Sequence, residues 1–272
     1  MKVLCTMPGM AGDNFFHIPS AYHISKQLGT KVDVVVDEGS TFVCSLLNAQ
    51  PWVNEAKPTH GVLGHPLGGQ PYDFGRDPEF RSQYDQVWHL GYREYPMDSM
   101  VSATRNQCGF QFTDPQAVMT ERCVLGSHKS VKYLALSIES SWPPRTINTL
   151  RTLLPIRDQL AHMFEKVFII AHKWGELEYG ELLNHRKYEL YNDQGDLTKT
   201  VELLDNSILV GGYSAMWALC AACLKGPQVV IMDQQFYTPA KITNPEYERV
   251  AMVDDWRVVL DQVRELKTTY GN

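Results

Sequence analysis

The chain has 272 residues, enough for one large domain or two small ones, and its 44% hydrophobic and 21% charged content is ordinary for a globular protein. A net charge of −6 argues against general attraction to nucleic acid or anionic membranes. The sequence contains no run of about eighteen apolar residues that would span a membrane, and its six cysteines are too few for a disulfide scaffold. The first residues also lack the pattern of a signal peptide. These features predict a cytoplasmic protein without stable membrane insertion, and they indicate no nucleic-acid partner.

The first strand, turn and helix of the chain contain the first candidate site. Val3–Met7 is an apolar run of one strand's length, the turn Pro8–Gly12 follows, and apolar residues at three- and four-residue steps then predict a helix. Asp13 stands at the predicted helix start, where a carboxylate serves either as an N-cap or as a catalytic base beyond the carboxyl end of a strand. Both roles remain open at this point. Gly12 beside it allows the backbone to approach a ligand closely.

Strands and helices alternate along the rest of the chain. Apolar runs predict strands near residues 32–36, 84–89, 131–138, 167–171, 188–191, 207–212 and 228–232. Helical patterns separate several of these runs, and one long helix from Arg145 is expected either to kink or to break into two helices at Pro155. This alternation predicts two α/β domains with mainly parallel sheets. The polar stretch Gly126–Ser130 divides them into a first domain, 1–126, and a second domain, 127–253.

A glycine turn in the second half forms the second candidate site. Gly211 and Gly212 end a predicted strand, Tyr213 and Ser214 follow, and a helical pattern begins there. A helix start presents amides without intrahelical acceptors and the positive end of the helix dipole, which suits a phosphate or a diphosphate. Ser214 fits a plain N-cap equally well, and that is the commoner use of serine at such a position.

Several other kinds of site lack their motifs. The spacing of Gly9 and Gly12 does not form the G-x-G-x-x-G dinucleotide pattern, and neither a P-loop nor a G-x-S-x-G nucleophile elbow occurs. The sequence shows no zinc-ligand spacing and no Asp-x-Asp pair that would hold a metal-bound diphosphate. Cys220 and Cys223 lie in an apolar helical pattern, which favours two small buried residues over redox or metal chemistry. We therefore expect neither a metal nor a cofactor.

Four short stretches, spread over both halves, share the pattern of one enzyme family. They are the first strand with Gly12-Asp13 and Ile18-Pro19, the segment Val32–Glu38 followed by Pro51–Glu55, the pair Trp142-Pro143, and the segment Leu204–Met232. In these stretches the chain resembles glycosyltransferase family 9, which includes the lipopolysaccharide heptosyltransferases. The resemblance implies the α/β fold called GT-B, in which two Rossmann-like domains with mainly parallel sheets face each other across a cleft. It also implies that a closing helix, residues 254–272, packs back on the first domain.

The resemblance implies an inverting, metal-independent glycosyltransferase that moves a sugar from a nucleotide-diphosphate donor to an acceptor hydroxyl. Asp13 matches the family's catalytic aspartate, which would remove the proton from the attacking hydroxyl. The nucleotide sugar would bind the second domain, and the acceptor, a glycan or another hydroxyl compound, would bind the first. The residues implied for donor binding are Gly12, Gly211, Gly212, Tyr213, Ser214, Ala215 and Met216, with Arg145 or Lys173 as a cation and Glu176 near the donor sugar.

The chain departs from the family pattern near the glycine turn. Tyr213 and Ala215 stand where the family has an aspartate and a glycine, and Trp217 or Ala218 stands where it has a histidine. Ser140-Ser141 replaces a lysine that precedes the Trp-Pro pair. These departures leave two other functions open. One is a nucleotide-sugar epimerase or hydrolase with the GT-B fold, and the other is a non-catalytic nucleotide- or sugar-binding protein with that fold.

Overall fold

The computed structural model describes residues 1–59, 78–91, 110–126, 130–140, 142–171, 178–236 and 246–271. The chain divides into two compact units. The first comprises Met1–Leu125 with Gly195–Thr198, and the second comprises Gly126–Gln194 with Lys199–Asn272. Gly195–Thr198 belongs to the first unit, whereas the sequence predicted a second domain that is continuous over residues 127–253.

In the described residues, the first unit is built on a parallel sheet with the strand order β3-β2-β1-β4. Its strands are β1 (Val3–Met7), β2 (Val32–Val36), β3 (Val53–Pro58) and β4 (Gln86–His89). Its helices are α1 (Ala11–Leu28), α2 (Val43–Asn48), α3 (Pro78–Ser82) and α4 (Pro115–Thr120). The two inner strands, β1 and β2, are buried along their whole length, as their mostly apolar sequences require.

The second unit is built on a larger parallel sheet with the order β10-β9-β8-β5-β6-β7. Its strands are β5 (Tyr133–Ser137), β6 (Lys166–Ile170), β7 (Tyr188–Tyr191), β8 (Ser207–Gly212), β9 (Gln228–Met232) and β10 (Glu248–Met252). Its helices are α5 (Pro143–Leu153), α6 (Arg157–Met163), α7 (Gly180–Leu183), α8 (Leu197–Leu204), α9 (Ala215–Leu219) and α10 (Trp256–Tyr270). The first two residues of α8, Leu197 and Thr198, belong to the first unit. The predicted alternation of strands and helices around two mainly parallel sheets is confirmed.

Two irregular turns interrupt the helices of the second unit. A 3-10 turn, Leu154–Ile156, separates α5 from α6, so the helix does break at Pro155, whose ring and missing amide disfavour an α-helix interior. A π-helical turn, Cys220–Leu224, continues α9. Both of its cysteines are buried and neither forms a disulfide, in agreement with their interpretation as small core residues. In the part of the chain that the structure describes, no helix is long and apolar enough to cross a membrane.

The C-terminal helix α10 is a core element of the second unit. Its residues Val259, Val263 and Leu266 are fully buried, in the same hydrophobic cluster as Ile208 of β8 and Val229 of β9. A parallel sheet needs apolar cover on both faces, and α10 supplies such cover to β8–β10. Packing of this helix on the first domain, which the resemblance implies, stays a prediction.

Candidate functional site

The turn after β1 is held by carboxylates at two successive amides. The Gly9 amide donates to Asp37 Oδ2 at 2.8 Å, and the Met10 amide donates to Asp13 Oδ2 at 3.1 Å. Gly9 has a φ of 96°, a conformation that glycine adopts without the strain of a Cβ. Because both amides bind internal carboxylates, this turn does not offer them to an anionic ligand.

Asp13 is the third residue of α1 and is partly exposed. Met10 occupies the N-cap position, so the predicted helix start was three residues late. Asp13 still has a capping role, because its carboxylate reaches back to the N-cap amide as the third residue of a capping box does. The positive end of the helix dipole stabilises its negative charge. Its partial exposure also leaves the carboxylate accessible to a substrate.

Buried polar side chains fix the carbonyl groups of the same turn. The Asn14 side-chain amide donates to the carbonyl oxygens of Gly9, at 3.1 Å, and Met10, at 2.9 Å. The Ser40 hydroxyl donates to the Gly9 carbonyl oxygen at 3.2 Å. Asn14 and Ser40 are both buried, so the backbone that precedes Asp13 is held by groups shielded from water.

Two histidines lie at the carboxyl end of this sheet. Burial, and to a lesser extent the charge of His89, lowers the pKa of His17 to about 3, although a hydrogen bond to the Pro8 backbone opposes the shift. His89 Nδ1 lies 2.5 Å from Thr6 Oγ1. Burial also lowers the pKa of His89, against the opposing charge of Asp37. Both rings are therefore neutral at pH 7 and above.

In the second unit, close contacts explain why Gly211 and Gly212 are glycines. A Cβ on Gly211 would lie 2.1 Å from the Ser137 carbonyl oxygen, and a Cβ on Gly212 would lie 2.6 Å from Thr149 Oγ1. Both glycines are buried at the end of β8. The pair is required by the approach of β8 to β5 and α5, so its presence alone does not identify a ligand.

The start of α9 is capped by Ser214, as the sequence allowed. Ser214 Oγ accepts from the Trp217 amide at 3.4 Å and lies 2.9 Å from Ser137 Oγ. The next two amides, those of Ala215 and Met216, belong to the first turn of the helix. A helix supplies no acceptor of its own to amides in these positions, so they point toward the carboxyl edge of the sheet as hydrogen-bond donors.

Arg145 places a positive charge at the same turn. Its Nη1 donates to the Tyr213 carbonyl oxygen at 3.0 Å. Its guanidinium carbon lies 5.3 Å from the centre of the Tyr213 ring and 5.5 Å from that of Trp142. The Tyr213 ring in turn lies 4.4 Å from the Trp217 ring. Cation–π contacts with the two rings orient the guanidinium group while leaving it charged.

Several polar residues near the two turns were not predicted from the sequence. Asp37 directly follows β2, Ser137 ends β5, and Asp233 directly follows β9, where its Oδ1 accepts from Asn148 Nδ2 at 3.1 Å. Their position at the end of a strand could have identified them from the sequence. A polar residue at the carboxyl end of a parallel strand lies at the edge of the sheet where ligands bind.

The predicted site residues fall into three groups. Asp13 and Gly12 lie in the first turn of α1, in the first unit. The segment 211–216 and Arg145 come together in the second unit. Lys173 and Glu176 lie outside the described residues. Among the residues that are described, no group of three or more His, Cys, Asp or Glu side chains is arranged to hold a metal ion.

Solved structures with the same fold are bacterial glycosyltransferases. The Escherichia coli ADP-heptose lipopolysaccharide heptosyltransferase II matches 99% of this chain and 99% of its own, with a TM-score of 0.68 at 13% identity. E. coli heptosyltransferase WaaC, solved with ADP, matches 100% and 99%, with a TM-score of 0.61 at 13% identity. The iron-containing dodecameric glycosyltransferase TibC of enterotoxigenic E. coli matches 88% of this chain and 61% of its own, with a TM-score of 0.54 at 15% identity.

No protein-family model and no curated protein matches the chain. The structural matches confirm the predicted GT-B fold and the resemblance to lipopolysaccharide heptosyltransferases. At such low identity they establish the fold alone.

Proposed function

We propose that the chain is a glycosyltransferase that moves a sugar from a nucleotide-diphosphate donor to an acceptor hydroxyl. The observation that carries the proposal is the turn after β8. There the Arg145 guanidinium is fixed next to the first amides of α9, at the carboxyl edge of a parallel sheet. A guanidinium and helix-terminal amides are the groups that proteins use to bind phosphate oxygens. The fold shared with heptosyltransferases, one of them solved with ADP, supports a nucleotide sugar as the ligand.

In the proposed reaction, the second unit stabilises the leaving group. Negative charge develops on the nucleoside diphosphate as the bond to the sugar breaks, and Arg145 with the amides of Ala215 and Met216 would stabilise it. Because these groups would supply the positive charge that stabilises the leaving group, we propose that the transfer needs no metal ion. Lys173 would add a second cation, and Glu176 would contact the donor sugar.

In the first unit, Asp13 would act as the general base. Its carboxylate would remove the proton from the acceptor hydroxyl while that oxygen attacks the anomeric carbon, with inversion. The bond from the Met10 amide to Oδ2 holds the side chain, and its partial exposure allows an acceptor to reach it. The acceptor class we propose is a glycan or another compound with a free hydroxyl.

Donor binding is tested by thermal denaturation with a panel of nucleoside diphosphates and nucleotide sugars, with and without EDTA. A ligand that binds only the folded state adds about 2.7 kcal/mol of stability at one hundred times its dissociation constant. We expect one nucleotide to raise the unfolding midpoint equally in both conditions and Arg145→Ala to abolish the increase. Arg151→Ala is the control, because this exposed arginine lies on the same helix away from the turn. Failure of every nucleotide to stabilise the wild type would contradict the proposal.

Asp13→Asn then separates catalysis from binding, with the nucleotide sugar found in the panel as donor. The asparagine oxygen still accepts from the Met10 amide but is no base, so turnover should fall by about 10²–10⁴-fold with donor affinity unchanged. Asp114→Asn is the matched control, since Asp114 caps α4 through its side chain. Wild-type turnover in Asp13→Asn would rule out the base. No turnover in the wild type, with the nucleotide still bound, would favour the non-catalytic binding protein.

A further inference from the structure

We propose that Asp37 is a positioning residue that holds the turn presenting Asp13. The proposal deepens the proposed function, because it concerns the residue that would act as the base. Asp37 acts through the peptide backbone of Gly9 and Met10, which connects the two carboxylates.

Asp37 is placed by the pairing of β1 with β2. Met7 and Val36 are partners at the last register position of the two strands, so the residues that follow them leave the sheet side by side. Asp37 is the first residue after β2, it is buried, and its carboxylate accepts from the Gly9 amide at 2.8 Å. A buried carboxylate needs strong hydrogen bonds to offset its lost hydration, and a charge-assisted bond to a backbone amide is one of them.

The position of Asp37 is itself fixed by the short 3-10 turn that follows β2. The Ser40 amide donates to the Asp37 backbone carbonyl at 2.8 Å, and the Ser40 hydroxyl donates to the Gly9 carbonyl at 3.2 Å. Gly9 is thus held at both ends, its amide by Asp37 and its carbonyl by Ser40. This arrangement restrains a residue that, as a glycine with a φ of 96°, would otherwise sample many conformations.

Restraint of Gly9 determines the orientation of the next peptide group. The Met10 amide binds Asp13 Oδ2, so rotation about the Gly9 backbone would move the group that holds the base. A catalytic group displaced by about 1 Å can lose about 10²-fold in rate. Loss of the Asp37 contact should therefore lower turnover without weakening the binding of the nucleotide, which we place on the second unit.

The test compares Asp37→Ala, Asp37→Asn and Asp33→Ala with the wild type. Asp33 is the matched control, since it is a buried aspartate of β2, the strand that Asp37 follows, and its Oδ1 accepts from Asn54 at 2.7 Å, away from the turn. The readouts are kcat, KM for the donor, and the hydrogen-exchange rate of the Gly9 amide by NMR. We expect Asp37→Ala to lower kcat by about 10–10²-fold at unchanged KM and to speed Gly9 exchange at least about tenfold. Asp37→Asn keeps a hydrogen-bond acceptor but loses the charge. Its kcat and its Gly9 exchange rate should therefore lie between those of Asp37→Ala and the wild type.

A kcat or a Gly9 exchange rate in Asp37→Ala equal to that of Asp33→Ala would overturn the proposal. If Asp37→Ala does not fold, Asp37→Asn decides, and values identical to wild type then overturn it. A wild type without transferase activity removes the proposed function but not this inference. In that event the exchange rate alone decides whether Asp37 holds the turn.

Discussion

Gly9 and Gly211 show two different physical reasons for a glycine, and only one is visible in the sequence. Gly9 follows a proline in a breaker-rich turn, and its positive φ is what such a turn predicts. Gly211 is required because the Ser137 carbonyl approaches it, and Ser137 belongs to a strand far away in the chain. Both turns are therefore predictable from the sequence, but a ligand contact is not needed to explain Gly211, because packing already requires a glycine there.

Replacement of Gly211 by alanine should destabilise the second unit. The added Cβ would lie 2.1 Å from the Ser137 carbonyl oxygen, so strands β5 and β8 must separate. We expect the free energy of unfolding to fall by about 1–3 kcal/mol, measured by urea denaturation. Gly226→Ala is the control, because nothing lies within 4 Å of its added Cβ, and its effect should stay within about 0.5 kcal/mol. Equal effects of the two substitutions would contradict this explanation.

Burial of His17 should make the protein less stable as the pH falls. The pKa of His17 is about 3 in the folded protein and 6.5 in an unperturbed histidine, so the unfolded chain takes up the proton first. The stability is complete above pH 6.5 and declines as the pH falls from 6.5 toward 3. At pH 5 the loss from this group is about 2 kcal/mol. Urea denaturation at pH 7 and pH 5 should show that loss in the wild type and not in His17→Gln. Identical pH dependence in both proteins would show that His17 is not the cause.

Among the secondary-structure elements, central strands were predictable and some edge strands were not. β1, β2, β8 and β9 are nearly continuous apolar runs because other elements cover them on both faces. β3 and β10 lie at sheet edges, are less completely buried, and were missed. Their conformation depends on parallel pairing with β2 and β9, a long-range interaction that a local pattern does not contain.

The packing of α10 in the core of the second unit can be tested by truncating one side chain. Leu266 is fully buried in the core of the six-stranded sheet, so Leu266→Ala should cost about 2–5 kcal/mol. Arg264→Ala on the same helix removes an exposed ion pair with Asp261 and should change the stability by less than about 1 kcal/mol. Chemical denaturation followed by a probe in the second unit measures both effects. A change confined to the first unit would contradict the assignment.

For the whole molecule, the arrangement of strands and helices was more predictable than the identity of the site residues. The chain matches heptosyltransferase II over nearly its full length at only 13% identity, because many different apolar residues satisfy the same strand and helix patterns. A site needs particular side chains brought together from distant segments. Arg145 and Tyr213 are distant in the sequence and meet through tertiary contacts, so a local sequence pattern does not predict their contact.

The division into two units predicts a calorimetric result. Each unit has its own sheet and core, so heating should give two transitions or one broad transition that resolves into two components. The nucleotide that binds wild-type protein should raise the midpoint of one component, that of the second unit, since Arg145 and the start of α9 both belong to it. Leu266→Ala should lower the midpoint of the same component and thereby identify it. A nucleotide that raises only the other midpoint would place the donor site in the first unit.

The turns after β1 and β8 have the same strand-turn-helix design but hold side chains of opposite charge. The amides of Gly9 and Met10 donate to the carboxylates of Asp37 and Asp13, whereas the Arg145 guanidinium lies at the turn before α9. In the proposed enzyme, the carboxylates of the first turn would disfavour a phosphate and leave room for an uncharged hydroxyl compound, while the guanidinium at the second turn would favour a phosphate. A two-substrate enzyme built this way would discriminate its ligands by charge. Each substrate would be directed to its own subsite before any contact with the sugar is made.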